Sequence, residues 1–138
     1  MNFYLDSSCL VRAIVRDGPV LAAWARWERV YSSRLAFVEV SRTIYRFRLE
    51  RSLSPEAIDA LDANFQAIWS GIFRFPVDDD VLAMASEPLP MHLKTLDALH
   101  LATARIVRNE LEPELTFATH DRRLAAAAQA FGFPVAGV

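Results

Sequence analysis

The chain has 138 residues, of which 53% are apolar, so it is long enough for one domain with a buried core and its composition excludes a disordered chain. A formal net charge of −2 excludes a uniformly basic nucleic-acid-binding protein. Lys94 is the only lysine, so 14 of the 15 basic residues are arginines, which bind phosphate and carboxylate groups well. A biased genomic base composition would explain the same excess.

The single cysteine, Cys9, excludes an intrachain disulfide and favours a reducing compartment. The first residues, MNFYLD, lack the basic segment of a signal peptide, and no run of about 18 apolar residues predicts a membrane span. We therefore expect one cytoplasmic domain that covers residues 1–138.

The first third of the chain predicts two strands and three helices. NFYL is a short apolar strand that stops at the polar residues 6–8, which cap a helix through about Arg16, and residues 17–19 end that helix. RVYSS is a candidate short strand, and RLAFVEVSRTIYRFRLER predicts a long helix. After the first helix, a second helix is predicted with an apolar face made of Val20, Trp24, Trp27 and Tyr31, although Tyr31 also lies in the candidate strand RVYSS.

The middle of the chain has two clear helix starts. Ser54-Pro55-Glu56 supplies a serine cap, a proline at the first helical position and an acid in the first turn. IFRFPV then predicts a strand, and Asp78-Asp79-Asp80 opens a helix through about Glu87. These three aspartates are most simply a cap and partners of the helix dipole.

The last third continues the alternation of helix and strand. The stretch LKTLDALHLATARIV predicts a helix to about Glu110, LTFAT a strand, DRRLAAAAQAFG a helix and FPVAGV a last short strand. Strands that alternate with helices predict an α/β fold with a parallel sheet covered on both faces. In such sheets, sites lie beyond the carboxyl ends of the strands.

Four acidic residues from separated segments are predicted to meet at that edge. Asp6 ends the first strand, Asp121 follows LTFAT, Asp97 lies in the first turn of its helix, and Glu39 lies in the first two turns of the helix from Leu35. Like charges held close together repel, so such a cluster requires a cation or shifted pKa values. Oxygen ligands without cysteine or clustered histidine favour Mg²⁺ or Mn²⁺.

Each acid alone has a simpler explanation. Asp97 would favour the positive end of its helix, Glu39 could pair with Arg42, and Asp6 and Asp121 could be ordinary helix caps. The joint pattern favours a site, because all four interrupt apolar runs and three lie at junctions between elements on the predicted active edge.

Four stretches carry a resemblance to a known family: YLDSSCLV, AFVEVSR, LKTLDALHLATA and FATHDRRLAAAAQAFGFPVAG, in that order along the chain. The chain resembles PIN-domain ribonucleases, and closely the VapC-type toxins of toxin–antitoxin pairs, over essentially its whole length. The resemblance implies a three-layer fold with a mostly parallel sheet of about four or five strands. It implies that Asp6, Glu39, Asp97 and Asp121 hold Mg²⁺ or Mn²⁺ for the hydrolysis of RNA.

The same resemblance implies the partners of the chain. They are a VapB-like antitoxin, an RNA substrate such as a transfer RNA or ribosomal RNA loop, and a second copy of the chain in a homodimer.

Other polar residues are expected to support this site. Thr119 is expected to orient Asp121 or a metal-bound water, and Ser7 or Ser8 to do the same beside Asp6. Arg42 and Arg46 lie on roughly the same helix face as Glu39 and are candidates for contacts with RNA phosphates. His100, one turn after Asp97, is expected to be packed and satisfied by a local hydrogen bond, and His120 and Cys9 are assigned no role in the site.

Two other classes of function share part of the pattern. A receiver-like binding module also has acids at strand ends, but it requires paired acids after the first strand. A phosphatase with an aspartyl nucleophile requires an acid two residues after Asp6, where this chain has Ser8. A catalytically silent PIN-like module should lack one or more of the four acids, and this chain has all four.

Overall fold

The computed structural model of the protein describes residues 1–15 and 27–138. Five short strands form one sheet in the order β3-β2-β1-β4-β5, and every neighbouring pair is parallel. The strands are β1 (Asn2–Leu5), β2 (Arg29–Ser33), β3 (Phe73–Phe75), β4 (Thr116–Ala118) and β5 (Val135–Ala136). The predicted α/β fold is confirmed, and the sheet of the described residues is entirely rather than mostly parallel.

Six helices of the described residues connect these strands. They are α1 (Ser7–Val15), α2 (Leu35–Glu50), α3 (Pro55–Ser70), α4 (Asp79–Ala85), α5 (Thr95–Glu110) and α6 (Arg122–Ala130). The capping residues act as predicted, since the side chain of Ser54 accepts from the N–H of Ala57 and that of Asp78 accepts from the N–H of Val81. The simple explanation of the aspartates at 78–80 is thereby confirmed.

The sheet separates two apolar cores because successive side chains of a strand point to opposite faces. On one face, Phe3 and Leu5 of β1 pack with buried residues of α1, α2 and α3. On the other face, Tyr4 and Phe117 pack with buried residues of α5 and α6. A helix layer on each face gives the predicted three layers and leaves the carboxyl edge of the sheet open between them.

One predicted element is wrong in part. Tyr31 was assigned both to the apolar face of a second helix and to the candidate strand RVYSS, and the strand is confirmed, since Tyr31 lies in β2 and pairs in register with Tyr4 of β1. Trp27 belongs to no helix either, and its ring stacks on Phe3 with the centroids 4.0 Å apart. The aromatic spacing suggested a helix, whereas burial against the strand decided the conformation. Val20 and Trp24, like the predicted helix end at residues 16–19, lie outside the described residues.

None of the helices in the described part of the chain is both long enough and apolar enough to cross a membrane.

Candidate active site

The four predicted acids all lie at the carboxyl edge of the sheet. Asp6 directly follows β1, Asp121 is the N-cap of α6 shortly after β4, and Asp97 lies in the first turn of α5. Glu39 is the fifth residue of α2, which begins two residues after β2. The topology brings these four segments together because β1 lies between β2 and β4 in the sheet.

Asp6 is the buried member of the group and is held by three hydrogen bonds. Its Oδ1 accepts from the Ser8 hydroxyl at 2.6 Å and from the backbone N–H of Cys9 at 3.2 Å, and its Oδ2 accepts from the Thr119 hydroxyl at 2.6 Å. The side chain of Asp6 is only 4% exposed, so these donors are what allows a carboxylate to be buried there. Asp6 therefore caps α1 and also faces β4.

Thr119 connects two of the acids. Its hydroxyl donates to Asp6 and accepts from the backbone N–H of Asp121 at 3.0 Å. Asp121 in turn caps α6, because its Oδ1 accepts from the N–H groups of Arg123 and Leu124. Gly137 lies against this link with a positive φ of 98°, and a Cβ there would lie 2.5 Å from the carbonyl oxygen of Thr119. Thr119 thus contacts the side chain of Asp6 and only the backbone of Asp121, and its expected role in orienting Asp121 or a metal-bound water stays a prediction.

Asp97 is half-buried and is affected electrostatically by all three other acids. Burial and then the charges of Asp121, Asp6 and Glu39 raise the pKa of its carboxyl group, and His100 acts in the opposite direction. The charges of three carboxylates from other segments therefore act on Asp97 at this edge of the sheet.

Glu39 is held by residues from two other elements. The Ser7 hydroxyl donates to Oε2 at 3.1 Å, and Nε2 of His100 lies 2.5 Å from Oε1. The alternative pairing with Arg42 is not what the structure has. The two serines after β1 divide their roles, since Ser7 contacts Glu39 and Ser8 contacts Asp6.

His100 is packed as expected, but its hydrogen bonds are not the local ones that the sequence suggested. Its side chain is 1% exposed, and its Nδ1 lies 2.8 Å from the hydroxyl of Tyr4, which is completely buried. Burial raises the pKa of Tyr4 well above its usual value, so its hydroxyl keeps the proton and can donate it to Nδ1. The ring proton then sits on Nε2 and is donated to Glu39. No local pattern could indicate this, because Tyr4 and Glu39 are 96 and 61 residues away from His100.

The donor set fits a hard divalent cation in its chemistry. The groups at this edge are carboxylates, and a cation would offset the repulsion that helps to raise the pKa of Asp97. Over residues 1–15 and 27–138, however, no three His, Cys, Asp or Glu side chains already stand as ligands of one ion. Such a set is not required for Mg²⁺, which keeps several of its waters.

The remaining polar residues considered in the sequence form other contacts. Arg46 forms an exposed ion pair with Glu50 at 3.8 Å, and Arg42 is exposed on the same helix. His120 has its backbone N–H on the Ser8 hydroxyl, while its Nδ1 lies 2.6 Å from the carbonyl oxygen of Gly137. These contacts give His120 a place beside the group, with its ring directed to the last strand.

Comparison with known proteins agrees with this geometry. The family model of the PIN domain matches residues 3–130, so the chain is a PIN-domain protein. Ribonuclease VapC46 of Mycobacterium tuberculosis is 35% identical over 132 residues, which cover 96% of this chain and 94% of the relative. Ribonuclease VapC35 of the same organism is 32% identical over 140 residues and 96% of this chain. Within the PIN-domain family, the chain belongs to the VapC ribonucleases.

Solved structures share the fold at low sequence identity. VapBC2 from Rickettsia felis, bound to a DNA fragment from its promoter, gives a TM-score of 0.67 at 12% identity over 99% of this chain and 98% of that one. VapC20 of Mycobacterium tuberculosis, described as a toxin that cleaves the sarcin–ricin loop, gives 0.62 at 15% identity over 99% of this chain and 98% of that one.

Proposed function

We propose that the chain is an endoribonuclease toxin that requires Mg²⁺ or Mn²⁺ and hydrolyses phosphodiester bonds in structured RNA to inhibit growth. The observation that carries the proposal is the placement of Asp6, Glu39, Asp97 and Asp121, from four segments, at the carboxyl edge of the sheet, with a raised pKa of Asp97 beside it. Like charges gathered at one edge of a natural fold are typical of a site for a bound cation or a reaction. The similarity to VapC ribonucleases supports the same reading.

In this proposal, Asp6, Glu39, Asp97 and Asp121 hold the cation. The bound ion would polarise the phosphodiester and lower the pKa of an attacking water. The chain supplies the rigid placement of the carboxylates, since Thr119 fixes Asp6 and the turn of Asp121 while Ser7 fixes Glu39. His100, which contacts Tyr4, is a positioning residue because its Nε2 binds Oε1 of Glu39 and fixes the orientation of that carboxylate.

The partner of the toxin is expected to be a VapB-like antitoxin. The R. felis relative is a complex of toxin and antitoxin, and FitAcB from Neisseria gonorrhoeae, with a TM-score of 0.66 at 20% identity over 96% of this chain and 95% of that chain, has the same fold. We expect the antitoxin to present a basic side chain that competes with the metal for the carboxylates. The toxin itself is expected to form a homodimer, and its substrate to be a transfer RNA or ribosomal RNA loop.

The experiment is RNA cleavage by the purified chain, with RNA ends mapped by sequencing and growth followed after induction. Wild type is expected to produce defined ends with Mg²⁺ or Mn²⁺ and none with a chelator, and to arrest growth. Asp97→Asn keeps the shape of the side chain but removes its charge, so both effects should disappear while the circular dichroism spectrum is unchanged. Equal arrest by both proteins, with no RNA end that depends on Asp97, would leave a catalytically silent binding module as the better description.

A further inference from the structure

A pocket outside the carboxylate group opens where β2 and β3 end. It is lined by Arg34, Phe37, Trp69 and Arg74 and encloses about 360 Å³. The backbone N–H of Arg34 donates to the carbonyl oxygen of Phe75, the last residue of β3, at 2.8 Å. This bond places Arg34 at the same carboxyl edge as the acids. We refer to these four residues as the arginine–aromatic pocket.

The aromatic side of the pocket has one exposed ring on a rigid base. The centroid of the Phe37 ring lies 5.3 Å from that of Phe65 and 5.7 Å from that of Trp69, and the latter two rings lie 5.7 Å from each other. Phe65 and Trp69 are buried, whereas Phe37 is 38% exposed. Phe37 is thus an aromatic ring that is fixed from below and accessible from outside.

The charged side of the pocket is purely positive. Arg34 and Arg74 are both exposed, and the guanidinium of Arg74 lies 5.7 Å from the centroid of the Trp69 ring. In the part of the chain that the structure describes, neither arginine forms an ion pair, whereas Arg29, Arg46 and Arg105 each pair with a glutamate. Two cations without an acidic partner, beside an open aromatic ring, match the phosphate and base of a nucleotide.

The pocket adjoins the carboxylate group along the edge of the sheet. Arg34 follows β2, and Asp6 follows β1, the strand next to β2, whereas Phe37 and Glu39, two positions apart on α2, lie on different faces of that helix. Neighbouring strands lie about 4.8 Å apart, so one extended RNA strand can lie over both places. An acidic protein partner would account only for the two arginines. A nucleotide would account for the arginines through its phosphates and for the exposed ring of Phe37 through its stacked base.

We propose that the arginine–aromatic pocket binds a nucleotide of the RNA substrate that flanks the cleaved bond, with a base stacked on Phe37 and phosphates bound by Arg34 and Arg74. The inference rests on the proposed ribonuclease function and names a part of the substrate site that lies outside the carboxylate group. Single-stranded RNA is the form that offers an unpaired base for stacking.

The test measures binding of a fluorescent single-stranded RNA of mixed sequence to the full chain, with a chelator present to prevent cleavage and across a series of salt concentrations. Arg34→Ala and Arg74→Ala should each weaken binding and lower the salt dependence by about 0.7 in the log–log slope, the value for one phosphate contact on single strands. Arg48→Ala is the matched control, since Arg48 is also exposed on α2 but lies about 21 Å along the helix from Arg34.

The aromatic contact is tested by two changes at Phe37. Phe37→Leu should weaken binding about tenfold, because it removes a stacking surface, and Phe37→Trp should restore it. If the arginine variants bind RNA with unchanged affinity and salt slope, the pocket does not bind the substrate, even if wild type cleaves RNA. A Phe37→Leu protein with normal RNA affinity but altered mass in solution would make the surface a protein interface instead. Failure of wild type both to bind and to cleave RNA would refute the ribonuclease function itself.

Discussion

Two acidic groups at opposite edges of the sheet differ in what surrounds them. At the amino edge, Glu112 follows α5 and accepts hydrogen bonds from Tyr31 at 2.6 Å, Asn2 at 2.5 Å and Arg29 at 3.3 Å. These bonds, that of Tyr31 foremost, lower the pKa of Glu112. At the carboxyl edge, burial and the charges of three other acids raise the pKa of Asp97.

The opposite pKa shifts distinguish an ionised acid that stabilises the folded state, Glu112, from one that destabilises it, Asp97. The charge of Glu112 is favoured by three neighbours on two strands, β1 and β2, so its interactions contribute to stability. The charge of Asp97 is disfavoured where it lies, and that cost is typical of residues retained for binding or chemistry. Each edge contains a buried tyrosine connected to a glutamate. Tyr31 donates directly to Glu112, whereas Tyr4 contacts His100, which contacts Glu39. The same substitution of tyrosine by phenylalanine can therefore be compared at the two edges.

The largest expected contrast is in catalysis. Asp6→Asn should reduce RNA cleavage by at least about 100-fold, because it removes a charge that the metal requires, the scale seen when one electrostatic contact of a transition state is lost. Glu112→Gln should leave cleavage unchanged. Rates are measured under single turnover with Mn²⁺. If both variants lose activity to the same extent, the two edges do not have separate roles.

Metal binding should show the next largest contrast. Mn²⁺ at about 100 times its Kd should stabilise wild type by about 2.7 kcal/mol, because the ion binds the folded state in preference to the unfolded one. Glu112→Gln should keep this increase in Tm, and Asp97→Asn should lose most of it. Calorimetry with and without Mn²⁺ gives the answer, and a wild-type Tm that does not respond to millimolar Mn²⁺ would argue against a competent site.

The two buried tyrosines give a smaller but more selective comparison. Tyr4→Phe leaves Nδ1 of His100 without its partner and should lower kcat about tenfold with little change in KM, because neither residue is expected to touch RNA. Tyr31→Phe removes a donor to Glu112 and should lower stability by about 1 kcal/mol with normal kcat. Since both changes delete a buried hydroxyl, a fall of kcat in both would indicate that destabilisation alone impairs the enzyme.

The smallest expected effect is the opposite dependence of the two acids on pH in metal-free protein. Glu112→Gln should lower Tm at neutral pH, and the difference from wild type should shrink as pH falls from about 4.3, the value of an unfolded glutamate, and vanish below the lowered pKa of folded Glu112. Asp97→Asn should raise Tm at neutral pH, because it removes a disfavoured charge. That gain should disappear as pH falls through the raised pKa of Asp97 towards about 3.9, the value of an unfolded aspartate. If both variants change Tm at neutral pH in the same direction, the charges of Glu112 and Asp97 do not have opposite effects on stability.

Sequence patterns were most successful where a local rule decides the structure. The caps Ser54, Asp78 and Asp121 begin their helices as expected, because a side-chain oxygen within three residues of free N–H groups is a local signal. Tyr31 fitted both a helical aromatic spacing and the candidate strand RVYSS, and the pairing of β2 with β1 made the strand the correct assignment. Tertiary pairing decided that residue.

The sequence by itself determined the alternation of strands and helices and the edge at which the four acids lie, while the role of these acids as a metal site stays a prediction that the resemblance to VapC-type toxins implies. Only the tertiary structure decided which neighbours control these acids. Thr119 reaches Asp6 across 113 positions of sequence, and His100 reaches Glu39 across 61. Such bonds depend on which strands are adjacent and how helices cross above them, so the hydrogen-bond partner of a buried acid is a property of the packed fold rather than of any segment of the chain.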